Sequence, residues 1–249
     1  MTVVAVLADP PREDVVLPRL PDTSPLSAAE AVDLYEAMLK DVVTAVAGSG
    51  AELLVNYRDD EDLPEGDGRS EAQLRAVVAD ALGDADGARF EVQVGSSYAA
   101  RMGNTMTHLL ESESVQSAAV VSPAAPLVDR KEIDNAAMKL RRNEVVLGPA
   151  DDGRTYYAGF TETIDFESAD TPPVLETLTD RGVDAGHEVD YLPMLPVVET
   201  GRDLASVVSL VRSRTRAGRI IPEYTATVIA DYGLTVDVVD DGTPRLRRD

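Results

Sequence analysis

The chain reads as an α/β protein: one doubly wound, mostly parallel sheet flanked by helices. Three observations lead there. Short apolar runs alternate with stretches of helical periodicity almost throughout, the pattern of a sheet built from successive crossovers. At 249 residues the chain can bury a substantial core as one large α/β domain, with two small ones the alternative, and with no cysteine it must stand on packing rather than on a disulfide framework or a cysteine-held metal. Finally, the segment from Val145 to Phe160 reads as a buried strand, a tight Gly/Pro/Asp turn and an aromatic strand. That arrangement puts Asp151 and Asp152 at the end of a strand, where open α/β sheets bind ligands.

Taken in order, Thr2–Leu7 reads as the first strand, followed by a Pro- and charge-rich loop from Asp9 to Pro25. Ser27 and Glu30 have capping-box spacing, in which hydroxyl and carboxylate each satisfy a free N–H. The helix they open carries Ala31, Leu34, Tyr35, Met38, Val42 and Val46 as one apolar stripe, and Gly48-Ser49-Gly50 ends it. Leu53–Tyr57 is a second strand, Arg58 to Gly68 an acidic loop, and Ser70 to Leu82 a second amphipathic helix. Arg89–Val94 is strand-like, and Gly95-Ser96-Ser97 opens a helix to about Leu110. A strand at Ala118–Ser122 and a helix from Asp129 to Arg141 lead into a strand at Glu144–Leu147.

Beyond Phe160, the pair Pro172-Pro173 suits a first helical turn, giving a helix to Arg181 and then a strand at Glu188–Leu192. Helices from Gly201 to Thr215 and from Pro222 to Tyr232 follow, the latter stopped by Gly233. Leu234–Val239 reads as an edge strand. The expected organisation is one domain over residues 1–240 and a flexible tail over 241–249, with 245–249 frayed.

The formal net charge is −22, with acidic residues spread along the whole chain. Such a field repels nucleic-acid phosphate and anionic membrane. No apolar run approaches spanning length, and Met1 to Ala8 is too short and uncharged for a signal segment, so a cytoplasmic protein is expected. An acid-coated, lysine-poor surface of this kind resembles cytosolic proteins of extreme halophiles, in which high salt screens self-repulsion. His108 and His187 stand apart, with no serine or carboxylate spacing that suggests a triad or a zinc site.

Several short blocks occur in an order that resembles one family. Ala31-Val32-Asp33-Leu34-Tyr35 through Asp41 is similar to its AxxLYxxxLxD helix, and Pro11–Leu20 to its PGxxKTRL-like loop. Gln93–Met102 is similar to QxGxDLGxRM, Ser122–Leu127 to GxDxPxL, Gly148–Gly159 to GPxxDGGYYLxG, and Val197–Leu204 to DVDTxxDL. The family it resembles is the GT-A-fold nucleotide-diphospho-sugar transferase-like group of the DUF2064 type, of which this chain looks like a divergent, haloarchaeal-type member. The resemblance implies a GT-A fold and a glycosyltransferase that takes a nucleotide-sugar with Mg²⁺ or Mn²⁺ as cofactor. It assigns nucleotide contacts to Arg12, Arg19, Gly95 and Arg101, an acceptor-side catalytic role to Asp152, and a metal-ligand role to Glu199.

The departures fall on the metal half of that pattern. The first ligand position is Ala124, Val197 replaces the other aspartate of DVDT, the loop lysine falls at about Leu17, and the second glycine of DGG is Arg154. Two alternatives follow: a nucleotide-binding or regulatory protein that has lost catalysis, and a nucleotidyltransferase of the phospholactate guanylyltransferase type. Each candidate also has a plain reading. Arg12 and Arg19 can balance nearby acids, Gly95 and Ser97 can be an ordinary strand-to-helix turn, Arg101 can pair locally, and Asp152 and Glu199 can be solvated.

Overall fold

A computed structural model describes residues 1–64, 68–238 and 244–249. The middle of the acidic loop, Val239 and the first residues of the expected tail lie outside the described residues. In chain order the strands and helices are β1 (Thr2–Ala8), α1 (Leu20–Thr23), α2 (Ala28–Ala47), β2 (Glu52–Tyr57), α3 (Ser70–Leu82), β3 (Arg89–Val92) and α4 (Tyr98–Thr107). There follow β4 (Ser117–Val121), α5 (Arg130–Lys139), β5 (Val145–Pro149), β6 (Thr155–Phe160), α6 (Val174–Asp184), β7 (Val189–Tyr191), α7 (Gly201–Arg216), α8 (Glu223–Asp231), β8 (Leu234–Val238) and β9 (Pro244–Arg248).

A seven-stranded sheet runs in the order β3-β2-β1-β4-β6-β5-β7, with every pairing parallel except those of β6. The crossover after β4 leaves a one-strand gap before β5, and the short turn from Ala150 to Arg154 sends β6 back into it. Strand order reverses between β1 and β4, so the rim at their C-terminal ends is the topological switch point. The start of β6 arrives at the same rim, where Ser122 donates its N–H to Tyr156 O at 2.8 Å.

The period-two pattern of β1 splits its side chains between two cores: Val4, Val6 and Ala8 face one layer, and Val3, Ala5 and Leu7 face the other. The first layer takes the apolar stripes of α2, α3, α5, α7 and α8; the second takes α4 and α6. Both capping predictions at α2 hold, with Ser27 and Glu30 bonded reciprocally. Asp41, buried in α2, caps a different helix. Its carboxylate accepts the N–H groups of Tyr224 and Thr225 and the Thr225 hydroxyl, at the start of α8 where Pro222 offers no side-chain cap.

The end of the chain departs from the expected frayed tail. Pro244–Arg248 pairs antiparallel with β8 as a separate ribbon, and β8 is no edge strand of the main sheet. Leu246 packs on the first core, and the Arg248 guanidinium lies 5.1 Å from the centre of the Tyr232 ring while pairing with Glu30. These contacts offset the ordering entropy that would otherwise leave a charged terminus loose. No helix among the described residues is long and apolar enough to cross a membrane.

Candidate functional site

Four segments meet at the switch-point rim. The first is the loop after β1. It opens with Asp9 gripping Arg58 through two bonds of 2.6 and 2.7 Å. Arg12 donates to Gln73, Asp60 and Gly68 O, so it ties this loop to the start of α3. Ser70 and Arg12 together hold the Asp60 carboxyl below its usual range. Further along, Arg19 sits at the N-terminus of α1 with its side chain 67% exposed.

The second segment is the turn after β4, where Ala124 is buried and its carbonyl accepts the Val198 N–H at 2.9 Å. The third is the β5–β6 turn. Ala150 N–H bonds Arg154 O, closing a one-turn 3₁₀ segment in which Asp152 adopts φ 58°. This left-handed conformation suits a short polar side chain, and it leaves Asp152 exposed at the rim. Gly153 packs so closely that a Cβ there would lie 2.7 Å from Pro173.

The fourth segment returns from β7 across the rim. Leu195 N–H bonds Pro149 O and Val198 N–H bonds Ala124 O, which delivers Glu199 and Thr200 to the N-terminus of α7. Thr200 caps α7 in a box closed by Asp203. Gly201 rests directly on α1: its N–H donates to Thr23 Oγ1, and a Cβ there would come within 1.9 Å of Thr23 O. That close approach brings Arg19 against Glu199.

At the centre is a chain of charges. Arg19 lies 3.5 Å from Glu199 Oε2, and Arg154 lies 3.4 Å from Glu199 Oε1. Arg154 then pairs with Asp203 at 2.7 Å. Burial works against the Arg154 charge, but Asp203 and Glu199 outweigh it and keep the guanidinium firmly protonated. Burial likewise pushes the Asp203 carboxyl up, but the bonds from Arg154 and Thr200 pull it further, below the usual range.

The structure thus brings Arg19, Glu199 and the turn bearing Asp152 to one rim, with Ala124 beneath. Arg12 is on the same loop, but its donors face α3. Gly95 and Arg101 lie beyond the end of β3, two strands from β1. Gly95 has φ 137° and lies against the Arg101 backbone, where a Cβ would approach to 2.8 Å. The Arg101 Nε is buried without a partner among the described residues. No hydrogen bond or ion pair among the described residues joins Gly95 or Arg101 to the Arg19–Glu199–Arg154 chain.

Two central residues, Arg154 and Asp203, carry no assigned role in the sequence reading. The spacing Thr200-x-x-Asp203 is a local capping-box signal that marks Asp203; nothing local marks Arg154 as its partner. Away from the rim, His108 falls beside Glu91 and Glu113, with ligand atoms within 4.8 Å of one another. Arg89 already pairs with both glutamates there. Another cavity of about 820 Å³ opens between α2, α5 and α8, lined by Leu127, Val128, Met138 and Tyr224 among others.

The donor set at the rim does not fit the divalent cation that the family resemblance implies. A hard cation at a nucleotide site keeps several waters and takes substrate phosphates, but it still needs one or two free carboxylates from the protein. Ala124 and Val197 supply alkyl side chains, Asp203 is buried and paired with Arg154, and both oxygens of Glu199 face a guanidinium.

The α/β sheet with this switch point is a fold shared with nucleotide-diphospho-sugar transferase-like structures. Residues 66–171 match the family model described as "Uncharacterized protein conserved in bacteria (DUF2064)", which bears out the DUF2064-type resemblance read from the sequence blocks. The chain is similar to a protein of Desulfovibrio desulfuricans G20 described as a "putative nucleotide-diphospho-sugar transferase", with a TM-score of 0.74 at 20% identity, over 92% of this chain and 94% of that one. It is also similar to a cytidylyltransferase from Leptospira borgpetersenii serovar Hardjo-bovis (strain JB197), with a TM-score of 0.51 at 11% identity, over 92% and 94% of the two chains. At such identities the likeness is one of fold. No curated protein matches the chain in sequence.

Proposed function

We propose that the chain is a nucleotide-diphospho-sugar transferase-like protein whose ligand lies along the C-terminal rim, its diphosphate on Arg19 and its sugar toward Asp152. The observation that carries this reading is the convergence of the loops after β1, β4 and β5 with the start of α7 at the switch point. Arg19 is an exposed cation of the rim, with one N–H group turned to Glu199 and the rest of its fork open to a phosphate. Gly95 and Arg101 stand along the same rim past β2 and are assigned to the nucleoside end. Arg12 shapes the loop that carries Arg19.

In an active transferase, Asp152 takes the proton of the acceptor hydroxyl as its oxygen bonds the sugar carbon. The bond from that carbon to the diphosphate breaks, the electron pair leaves with the diphosphate, and Arg19 meets the charge that develops there. A second reading, nucleotide binding without catalysis, is favoured by Ala124 and by the paired state of Glu199.

Calorimetric titration of UDP-, GDP- and dTDP-sugars, CTP and GTP in molar KCl tests the proposal. One of these ligands should bind, and Arg19→Ala should weaken it about ten- to a hundredfold, the worth of a charge-assisted hydrogen bond. Asp152→Asn should spare binding and abolish transfer if the chain is a catalyst. Binding of none of them sinks the reading.

A further inference from the structure

We infer that this rim operates without a divalent metal, because the guanidinium of Arg154 occupies the space between Glu199 and Asp203 where a cation would otherwise be needed. The site is the one proposed above, but the inference concerns how its own carboxylates are balanced.

Two acidic side chains brought together at a half-buried rim need a positive partner. Arg154 supplies it from a fixed position. Its Nε donates to Asp151 O at 3.1 Å and its Nη1 to Val197 O at 3.3 Å. The same guanidinium spans Asp203, with Nη2 at 2.7 Å from Oδ1 and Nη1 at 3.4 Å from Oδ2. Held on both backbone and carboxylate, and with a side chain only 19% exposed, it is part of the framework rather than a loose surface arginine.

Asp203 is buried and committed to the start of α7. Its Oδ2 also accepts the N–H groups of Glu199 and Thr200 and the Thr200 hydroxyl, and its side chain is 7% exposed. Of this pair Glu199 alone is open to solvent, and it is flanked by two permanent positive charges that repel an incoming divalent ion. The nearest backbone oxygens are also engaged, Ala124 O by Val198 N–H and Val197 O by Arg154.

The residue types match this arrangement. A metal position needs oxygen donors, and the turn after β4 provides a methyl at Ala124. A guanidinium position needs carboxylates and carbonyls around a planar fork, and the rim provides both. Arg154 is therefore a positioning residue: it orders Glu199 and the start of α7, and leaves Arg19 to meet an anionic ligand.

The test is manganese binding to the full chain, followed by electron paramagnetic resonance in molar KCl to suppress ion pairing at the acidic surface. The wild type should show no Mn²⁺ site tighter than about 1 mM that Glu199→Gln alters. Arg154→Gly should gain a Mn²⁺ site, and Arg154→Gly with Glu199→Gln should lose it again. A folded Arg154→Gly variant that gains no site overturns the substitution of guanidinium for metal. If that variant does not fold, Arg154→Met serves in its place. A wild-type site that Glu199→Gln abolishes overturns the inference outright. Nucleotide titration with and without EDTA separates the two proposals. Binding that requires metal and Glu199 defeats this inference and keeps the functional reading. No binding in either condition defeats the functional reading and leaves the manganese result standing.

Discussion

Replacing Arg154 by methionine keeps most of its volume and removes its charge, so the change reports on the ion-pair chain at the rim. Asp203 is the partner that suffers, since its side chain is 7% exposed and loses two of its hydrogen bonds. Stranding one member of a fully buried pair costs about 3–5 kcal/mol. Asp203 keeps the N–H groups of Glu199 and Thr200 and the Thr200 hydroxyl, so roughly half of that, about 2 kcal/mol, is expected at neutral pH. For a chain of this size the loss corresponds to about 4–8 °C in Tm. The sign with pH follows from the depressed Asp203 carboxyl. Its contribution is complete above the unfolded value of about 3.9 and is lost as pH falls through the lower folded value. The gap between wild type and Arg154→Met should therefore close in acid. Urea unfolding of both proteins at neutral pH and in steps down to pH 3, at constant KCl, measures this. A neutral-pH difference under about 0.5 kcal/mol, or one that does not shrink in acid, refutes the assigned pairing.

Three further outcomes are expected. Gly201→Ala forces a Cβ into Thr23 O, which lies 1.9 Å from that position; a cost of about 3 kcal/mol is expected, together with separation of Arg19 from Glu199, read as weakened nucleotide binding. Asp41→Ala strands three donors at the start of α8 and should cost about 3 kcal/mol, with the amides of Tyr224 and Thr225 exchanging faster by NMR. Arg12→Ala frees the loop after β1 from α3 and should lower stability by about 1–2 kcal/mol, while nucleotide affinity falls less than in Arg19→Ala.

What was legible in the sequence was local. The alternation of strands and helices, the Ser27–Glu30 box and the Gly233 stop each depend on neighbours a few residues away, and each appears as read. The tight turn after Pro149 marks β6 as antiparallel to β5, but nothing in an apolar strand says that it fills the gap between β4 and β5. The order of Pro244–Arg248 was hidden for a related reason: one leucine among arginines looks frayed until Tyr232 and Glu30 are beside it. The rim divides the same way. Asp152 lies in the turn directly after β5, which periodicity locates. Arg19 and Glu199 lie just before α1 and α7 and stand out only through the blocks that resemble the family.

Arg154 is different, because in the sequence it is visible only as a missing glycine in a turn. Its meaning depends on two acids it reaches only in the fold, Asp203, 49 residues on, and Glu199. The two departures that read as separate losses then become one arrangement. Ala124 is 8% exposed, so an aspartate there would carry a nearly buried charge and would need a cation to hold it. With the guanidinium of Arg154 already committed to Asp203 and Glu199, a methyl is the side chain that leaves no group unpaired.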